Sequence, residues 1–270
     1  MNQIRVGVLG CAGRNGSLVL KELLMDPHIV LSGGTAREGG AGHGADLGTL
    51  AGVAPLGVYA HTAAEVLFKS SDVLIDFTTT EATLNHVNLA VEHQKPLVIG
   101  TTGFTNEERK LIITKSDKAP IMLASNFSTG VAVLNYIVEF AASVLNESFD
   151  AEILEIHHRH KKDSPSGTAK SLVRAIHRGR KDEDKNAYVF HNELVRKKGD
   201  IGVAAIRGGE IYGSHTVLFL GNGESLSLKH ESSDRSIYAK GSLRAAKWIY
   251  GKAPGLYRMR DVLKSSEWVK

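Results

Sequence analysis

The first half of the chain alternates short apolar runs with longer amphipathic stretches. The apolar runs are predicted to be strands and the amphipathic stretches to be helices. Strands are predicted at 4–9, 29–31, 73–77, 96–100 and 121–124, and helices at 16–25, 81–93 and 106–116. Strands that alternate with helices favour a parallel sheet with right-handed crossovers. The first half is therefore predicted to be a doubly wound α/β domain.

The pattern changes near residue 130. An apolar helix is predicted at 131–145 and a second helix at 166–178, with strands at 152–156, 201–206, 215–220 and 224–230. The last strand alternates polar and apolar side chains, as a half-exposed antiparallel strand does. We therefore expect a second, α+β domain with a mixed or antiparallel sheet over residues 129–240. A helix at 241–250 is expected to pack back on the domain formed by 1–128, so that 241–270 belongs with it.

Composition excludes several classes of protein. The hydrophobic share of 42% and the charged share of 23% are ordinary for a globular chain. A net charge of +4 is too mild to indicate nucleic acid. A single cysteine, Cys11, predicts a reducing compartment. The N-terminus lacks a signal-peptide pattern, and we expect no apolar run near the ~18 residues of a membrane helix. The protein is predicted to be cytoplasmic, without a membrane or nucleic-acid partner.

A glycine-rich turn follows the first predicted strand. Gly10, Gly13 and Gly16 allow a tight turn, close approach to a pyrophosphate and close packing of the next helix on the strand. The helix N-terminus adds free N–H groups and the positive end of a dipole. The position of this pattern predicts a Rossmann-like dinucleotide site, although a plain strand–helix turn would also fit.

The second strand bears on the choice of cofactor. NAD-binding domains carry an acidic residue near its end, where it binds the ribose. Here Ala36 occupies that region, and Arg37 follows it. The planar fork of an arginine suits a 2′-phosphate. NADPH is therefore expected to be preferred, with NADH possible, unless Arg37 is merely a surface charge.

The second half contains an unusual cationic run. Residues 157–162 read His-His-Arg-His-Lys-Lys, and Ser-Pro-Ser-Gly-Thr follows at 164–168. Ser164 is predicted to cap a helix in which Pro165 is the first residue. The N–H groups of residues 166–168 would then point at an anion, opposite cationic side chains among which the histidines exchange protons near neutral pH. This pattern predicts a site for a carboxylate-rich substrate.

Two other interpretations of the cationic run are weaker. Clustered histidines can bind zinc, but Arg159 and Lys161 would repel a cation and no cysteine is nearby. Basic segments also bind nucleic acid, but no aromatic residues are interleaved here. We therefore expect no metal.

These motifs together resemble a known family. His-His-Arg-His-Lys at 157–161, Ser-Pro-Ser-Gly-Thr-Ala at 164–169, Ile-Asp-Phe-Thr at 75–78, Gly-Thr-Thr-Gly-Phe at 100–104 and Ser-Asn-Phe-Ser at 125–128 are similar to those of 4-hydroxy-tetrahydrodipicolinate reductase (dihydrodipicolinate reductase). The resemblance runs from residue 4 to about residue 263, in the family's order. The run from His157 to Thr168 is the family's own signature.

The resemblance implies roles for individual residues. His157 and Lys161 match the proposed proton donors. Substrate contacts are implied for His158, Ser166, Gly167, Thr168 and, less directly, Arg235. Cofactor contacts are implied for Gly10, Cys11, Ala12, Gly13, Arg14, Asn15, Arg37, Gly100, Thr101, Thr102, Ala124, Ser125, Asn126 and Phe127.

The resemblance also implies a reaction and an assembly. Hydride would pass from a nicotinamide to a cyclic unsaturated dicarboxylate in diaminopimelate and lysine biosynthesis. A homotetramer would form through the strands of the second domain, and the run 217–220 is expected to supply an exposed sheet edge. Two rivals are a dehydrogenase acting on an amino acid or semialdehyde and a nucleotide sensor with a decayed site. Neither explains an intact cationic run.

Overall fold

A computed structural model describes residues 3–182, 187–190 and 195–263. The chain forms two compact units. The first comprises the residues up to Ser128 and those from Arg235 onward, and the second comprises Thr129–Asp234. The second unit is thus an insertion in the first. Part of the range 241–270, namely residues 264–270, lies outside the described residues.

The first unit contains a six-stranded sheet in which every pair of neighbours is parallel. The strand order is β11-β5-β4-β3-β1-β2. The strands are β1 (Ile4–Leu9), β2 (Ile29–Thr35), β3 (Val73–Asp76), β4 (Leu97–Ile99), β5 (Pro120–Leu123) and β11 (Gly255–Tyr257). The order reverses between β1 and β3, and ligands of open α/β sheets bind at such a point. The predicted Rossmann-like sheet is confirmed.

Helices complete the first unit. They are α1 (Arg14–Leu24), α2 (Leu47–Ala51), α3 (Ala64–Ser70), α4 (Thr80–Glu92), α5 (Asn106–Ser116), α8 (Ser236–Ile249) and α9 (Met259–Leu263). Buried side chains such as Leu74, Leu97 and Ile121 form the core between sheet and helices. Helix α8 begins at Ser236, earlier than the predicted Gly241, and Lys247 on it forms an ion pair with Asp26 at 2.5 Å.

The second unit has a five-stranded mixed sheet. The order is β10-β9-β6-β8-β7, in which β6 pairs antiparallel with β9 and parallel with β8. The strands are β6 (Asp150–His157), β7 (Val189–Phe190), β8 (Ile201–Arg207), β9 (Gly213–Leu220) and β10 (Ser225–Ser232). Helices α6 (Thr129–Leu145) and α7 (Gly167–Gly179) pack on one face through buried residues such as Val138, Leu172 and Ile153.

The predicted edge at 217–220 is wrong. Strand β9 lies inside the sheet between β10 and β6, and Val217 and Phe219 are fully buried against the helices. The alternate residues Leu218 and Leu220 face the other side, and Leu220 is 41% exposed. Among the described strands, the edges of this sheet are β10 and β7.

One stretch contradicts the expectation about apolar runs. Thr129–Ser148, which comprises α6 and a 3-10 turn, is long and apolar enough to cross a membrane by length and composition. Core helices of folded domains meet the same test. Leu134, Val138 and Ala142 of α6 are buried in the core of the second unit, so the helix has a structural role there.

Candidate active site

The turn between β1 and α1 has the geometry of a phosphate-binding loop. Gly10 has a φ of +78°, and a Cβ there would lie 2.7 Å from the carbonyl oxygen of Phe77. A Cβ on Gly16 would lie 2.1 Å from the carbonyl oxygen of Gly10. Helix α1 has no side-chain cap and no acidic residue in its first turn, so its first N–H groups and positive dipole remain for an anion. These residues fit the pyrophosphate of a dinucleotide.

The other residues of this turn differ in exposure. Ala12, Gly13 and Arg14 are exposed, whereas Cys11 is fully buried. Burial raises the pKa of the Cys11 thiol to about 11, so this side chain is an unreactive thiol. Any contact of Cys11 with a cofactor would involve its backbone.

Arg37 lies just beyond the end of β2. Its side chain is exposed, and it forms no ion pair with any residue in the described ranges. Ala36, which stands at the acid position, is 8% exposed. The end of β2 is therefore followed by the cationic side chain of Arg37, and the first carboxylate after β2 is that of Glu38.

The loop at 100–102 is held by a buried polar network that the sequence reasoning missed. Asp76, fully buried at the end of β3, accepts from the Thr78 hydroxyl at 2.5 Å and contacts His86 Nδ1 at 2.8 Å. The hydroxyl of Thr83 donates to the Thr101 hydroxyl at 2.9 Å. The network therefore fixes Thr101 at the carboxyl end of β4. Thr102 and Gly103 beside it are exposed.

The segment 124–127 and Arg235 also belong to the first unit. The Phe127 side chain is 2% exposed and packs edge-to-face on Phe77, with ring centroids 5.9 Å apart. Only the backbone of Phe127 is thus placed for a ligand. Ser125 is exposed, and Asn126 accepts from the N–H of Ser128 at 2.8 Å. Arg235 precedes α8 at its N-cap.

The predicted proton donors lie at and beyond the end of β6 in the second unit. His157 is the last residue of β6 and is 7% exposed. Lys161 lies in the following loop, where its Nζ donates to Asp163 at 2.7 Å. The side chain of Lys161 is 19% exposed, against 59% for that of Asp163. His158 is held by its own N–H, which donates to the carbonyl of Ile211 at 2.7 Å.

The start of α7 differs from the sequence prediction. Ser166, not Ser164, is the N-cap, and its hydroxyl accepts from the N–H of Ala169 at 3.1 Å. Ser166 is extended, with φ −60° and ψ 157°, so Pro165 lies outside the helix. Gly167 is exposed and Thr168 is 9% exposed. The basic loop, which carries the cationic run at 157–162, and the start of α7 are both parts of the second unit. The hypothesis of a carboxylate site requires this.

Glu155 lies beneath this site and was not predicted to belong to it. Its carboxylate is fully buried and receives hydrogen bonds from His157 Nδ1, from the Ser166 N–H at 3.1 Å and from Arg207 at 2.8 and 3.0 Å. Burial raises the pKa of Glu155, but the hydrogen bonds from His157, Arg207 and Ser166 outweigh burial and lower it to about 2. Glu155 is therefore ionised throughout the neutral range.

His215 on β9 completes the buried cluster. Its Nε2 lies 3.1 Å from the Ser166 hydroxyl, and its ring packs edge-to-face on His157 with centroids 5.0 Å apart. Burial, with a smaller effect of His157, lowers the pKa of His215 to about 3. The ring is neutral at pH 7, and its contact with the Ser166 hydroxyl is a hydrogen bond between uncharged groups.

Glu155, His157 and His215 could in principle hold a metal ion. Their ligand atoms all lie within 4.8 Å of one another. Arg207, however, donates to both oxygens of Glu155, and a guanidinium so placed opposes a second cation. This cluster differs from the histidines weighed in the sequence, and the absence of a metal stays a prediction.

Comparison with known proteins agrees with the motifs. The N-terminal dihydrodipicolinate reductase model matches residues 4–127, and the C-terminal model matches residues 130–263. A 4-hydroxy-tetrahydrodipicolinate reductase from Magnetococcus marinus is 42% identical over 263 residues, covering 96% of this chain and 98% of that protein. A 4-hydroxy-tetrahydrodipicolinate reductase from Wolbachia pipientis wMel is 41% identical, and the match covers 97% of this chain and 100% of that protein.

A solved structure agrees as well. The dipicolinate-bound dihydrodipicolinate reductase from Paenisporosarcina sp. TG-14 is 25% identical, with a TM-score of 0.74, and the match covers 95% of this chain and 97% of that one. Both halves of the chain thus match one family at nearly full length. The chain therefore belongs to the dihydrodipicolinate reductase family, as an oxidoreductase that uses a nicotinamide cofactor.

Proposed function

We propose that this chain reduces 4-hydroxy-tetrahydrodipicolinate to tetrahydrodipicolinate, with NADPH as the preferred hydride donor. Replacement of the ring hydroxyl by a hydride releases water and consumes one proton. The observation that carries the proposal is the pairing of a basic loop with the start of α7 in one compact unit. That pairing offers cations, backbone donors and a proton-exchanging histidine to one dicarboxylate.

We assign the substrate contacts as follows. The N–H groups at the start of α7, with Ser166 as its cap, bind one carboxylate at the positive end of the helix dipole. His158 adds a donor contact from the loop that follows β6, and the role of Arg235 stays a prediction. Fixing both carboxylates orients the ring and stabilises negative charge that develops on it.

Proton delivery falls to His157 and Lys161. Lys161 carries an ammonium whose counter-ion, Asp163, is more exposed than the lysine itself, so a substrate carboxylate can replace that partner. Glu155 accepts a hydrogen bond from Nδ1 of His157, so Nε2 is the ring nitrogen left for proton exchange. A correctly placed general acid typically contributes ~10²–10⁴-fold in rate.

The cofactor preference rests on the end of β2. Arg37 is exposed and without an ion pair among the described residues, and no carboxylate precedes it at the ribose position. A guanidinium there favours a 2′-phosphate and gives a ribose hydroxyl no acceptor. Thr101, held by the network under β4, is proposed to contact the nicotinamide half of the cofactor.

The test is oxidation of NADPH and of NADH, followed by absorbance, with freshly made substrate. We expect faster turnover with NADPH. Arg37→Ala should raise the KM for NADPH about 10–100-fold, because a charge-assisted hydrogen bond is lost. The KM for NADH should change little. Lys21→Ala, on the exposed side of α1, is the control. Equal turnover of the two cofactors would remove the Arg37 argument, and no turnover with either would refute the assigned substrate.

A further inference from the structure

Glu155 is the point at which three segments of the proposed site meet. His157 on β6 and Ser166 at the start of α7 both donate to its carboxylate. Arg207, from the end of β8, donates to both of its oxygens. Glu155 itself is fully buried, so it cannot contact a substrate directly.

Arg207 extends the connection to the basic loop. Its Nη2 donates to the backbone carbonyl of Asp163 at 2.8 Å as well as to Glu155 at 2.8 Å. The side chain of Asp163 in turn pairs with Lys161. One guanidinium therefore holds both the carboxylate behind His157 and the loop segment that carries Lys161.

We propose that Glu155 and Arg207 are positioning residues. They fix the His157 ring with Nδ1 as the donor, so that Nε2 exchanges the proton, and they hold the Lys161 loop against the start of α7. This inference rests on the proposed function, because it concerns the same site. It adds two residues that carry no reacting atom.

The protonation of the ring follows from the carboxylate. An ionised carboxylate accepts hydrogen bonds and cannot donate one. Nδ1 of His157 must therefore carry a proton in both the neutral and the charged ring, so Nε2 is the atom that gains and loses a proton. The depressed pKa of Glu155 keeps this arrangement across the neutral range. A hydrogen-bonded carboxylate that orients a histidine in this way serves in many enzymes and metal sites.

The charged and titratable groups around His157 come from four elements. Glu155 is on β6, Arg207 on β8, His215 on β9, and Lys161 with Asp163 in the loop. Because His215 is neutral at pH 7 and Asp163 is paired with Lys161, Arg207 is the group that directly balances the charge of Glu155. Removing Arg207 would leave a buried carboxylate with two fewer donors.

The test variant is Glu155→Gln. A glutamine oxygen has two lone-pair positions where a carboxylate has about four, so it cannot serve His157, Ser166 and Arg207 together. We expect kcat to fall about 10–100-fold, as loss of an outer-shell partner does, while the KM for NADPH stays unchanged. Arg207→Lys keeps the positive charge but loses the planar guanidinium that donates to both oxygens of Glu155. We expect a smaller fall in kcat, again with an unchanged KM for NADPH.

The second readout is independent of activity. Nitrogen-15 NMR of histidine-labelled protein, assigned with His157→Gln, should show Nδ1 of His157 protonated between about pH 6 and about pH 8. Glu155→Gln should shift the ring toward the Nε2–H form that free histidine prefers. Lack of turnover by wild-type protein would refute the proposed substrate and leave this spectroscopic test intact.

Glu152→Gln is the matched control. Glu152 lies three residues earlier on the same strand, is also buried and pairs with Arg196, so it reproduces the loss of a buried ion pair away from the histidines. We expect its kcat and His157 spectrum to be those of the wild type. The proposal is overturned if Glu155→Gln keeps the wild-type kcat, if Glu152→Gln loses as much, or if wild-type His157 shows an unprotonated Nδ1. If Glu155→Gln does not fold, the kcat of Arg207→Lys and the His157 spectrum of the wild-type protein test the proposal instead.

Discussion

At the scale of single residues, the proposed site contains charged side chains that differ in their exposure and in whether they form an ion pair. Lys161 is four-fifths buried, whereas its partner Asp163 is mostly exposed. Lys162, the next residue, is exposed and forms no ion pair with any described residue. Two adjacent lysines thus have different environments, which allows a direct comparison.

Lys161→Ala should lower kcat by about 10²–10⁴-fold, because a proton donor and a carboxylate partner are lost together. The KM for NADPH should stay near the wild-type value, since Lys161 belongs to the second unit. Lys162→Ala should leave both constants unchanged. Steady-state kinetics with each variant checks this, and a loss of NADPH binding in Lys161→Ala would show that its role is misassigned.

His215 makes stability sensitive to mild acid. Its pKa is about 3 in the folded chain and near 6.5 when unfolded, so the unfolded chain binds the extra proton between these values. Stability from this group is complete above about pH 6.5 and is lost as the pH falls toward about 3. At ~1.4 kcal/mol per pH unit, roughly 2 kcal/mol is lost by pH 5.

His215→Gln should remove this dependence. An amide does not titrate, and its nitrogen can approach the hydroxyl of Ser166. The melting temperature of the variant should fall less than that of the wild type between about pH 7 and about pH 5. Glu155, with a pKa of about 2, adds its own loss only below about pH 4.5, so it does not interfere. Parallel melting curves for the two proteins would contradict the assignment.

At the scale of elements, the start of α7 serves both the fold and the proposed site. The Ser166 hydroxyl caps the helix, and its N–H donates to Glu155. Thr105 caps α5 in the first unit through a capping box with Glu108. The two helices therefore have similar caps, of which one lies in the proposed substrate site.

Ser166→Ala should cost about 1 kcal/mol of stability, the usual value of an N-cap, and should also weaken binding of the dicarboxylate dipicolinate, which serves as the probe of the proposed substrate site. Thr105→Ala should cost a similar amount of stability with no effect on that binding. Thermal melting and calorimetric titration with dipicolinate separate the two effects. Equal dipicolinate affinity in Ser166→Ala and wild type would limit Ser166 to a capping role.

The elements that were predicted well are those whose sequence patterns lie within a short stretch of the chain. Strand β1, the glycine turn and α1 follow one another within 24 residues, and α5 was predicted at its observed bounds. Short elements such as α2, α3 and β11 were not predicted, because their periodicity is too brief to distinguish them from loops. Ser164 was predicted as the cap of α7 and Ser166 is the cap, a difference to which the hydrogen bond from the Ser166 N–H to the distant Glu155 contributes.

Non-local pairing explains the remaining errors. Glu155 and Arg207 are 52 residues apart, and nothing in either local sequence indicates that they meet. The run 217–220 was wrongly predicted to be a sheet edge, because strand order in a mixed sheet depends on pairing across the whole unit. By contrast, His157 and Lys161 were found through a contiguous motif, although their roles stay predictions.

At the scale of the whole molecule, the face of the second sheet opposite its helices bears on assembly. Leu220 and Ile206 on it are 41% and 47% exposed, and Leu218 is partly buried. We propose that this face and the edge strand β10 supply the contacts of a homotetramer, since apolar sheet faces and open edges favour self-association.

Leu220→Lys should therefore shift the assembly toward smaller species, because a charge would be buried in the contact. Leu111→Lys introduces the same charge on α5 at the same 41% exposure and should leave the mass unchanged. Light scattering coupled to gel filtration measures both. A wild-type protein that is monomeric at all concentrations would refute the assembly, and an unaltered tetramer in Leu220→Lys would exclude this face.

The insertion of the second unit between β5 and α8 has a consequence for synthesis on the ribosome. The first unit obtains its edge strand β11 and the helix α8, which packs on α1, from a part of the chain that is made after the inserted unit. Backbone approach there is close, since a Cβ on Gly241 would lie 1.7 Å from the carbonyl oxygen of Phe127. The first unit therefore begins before the inserted unit during translation and is completed only after it, so the inserted unit can fold while the first unit still lacks α8 and β11.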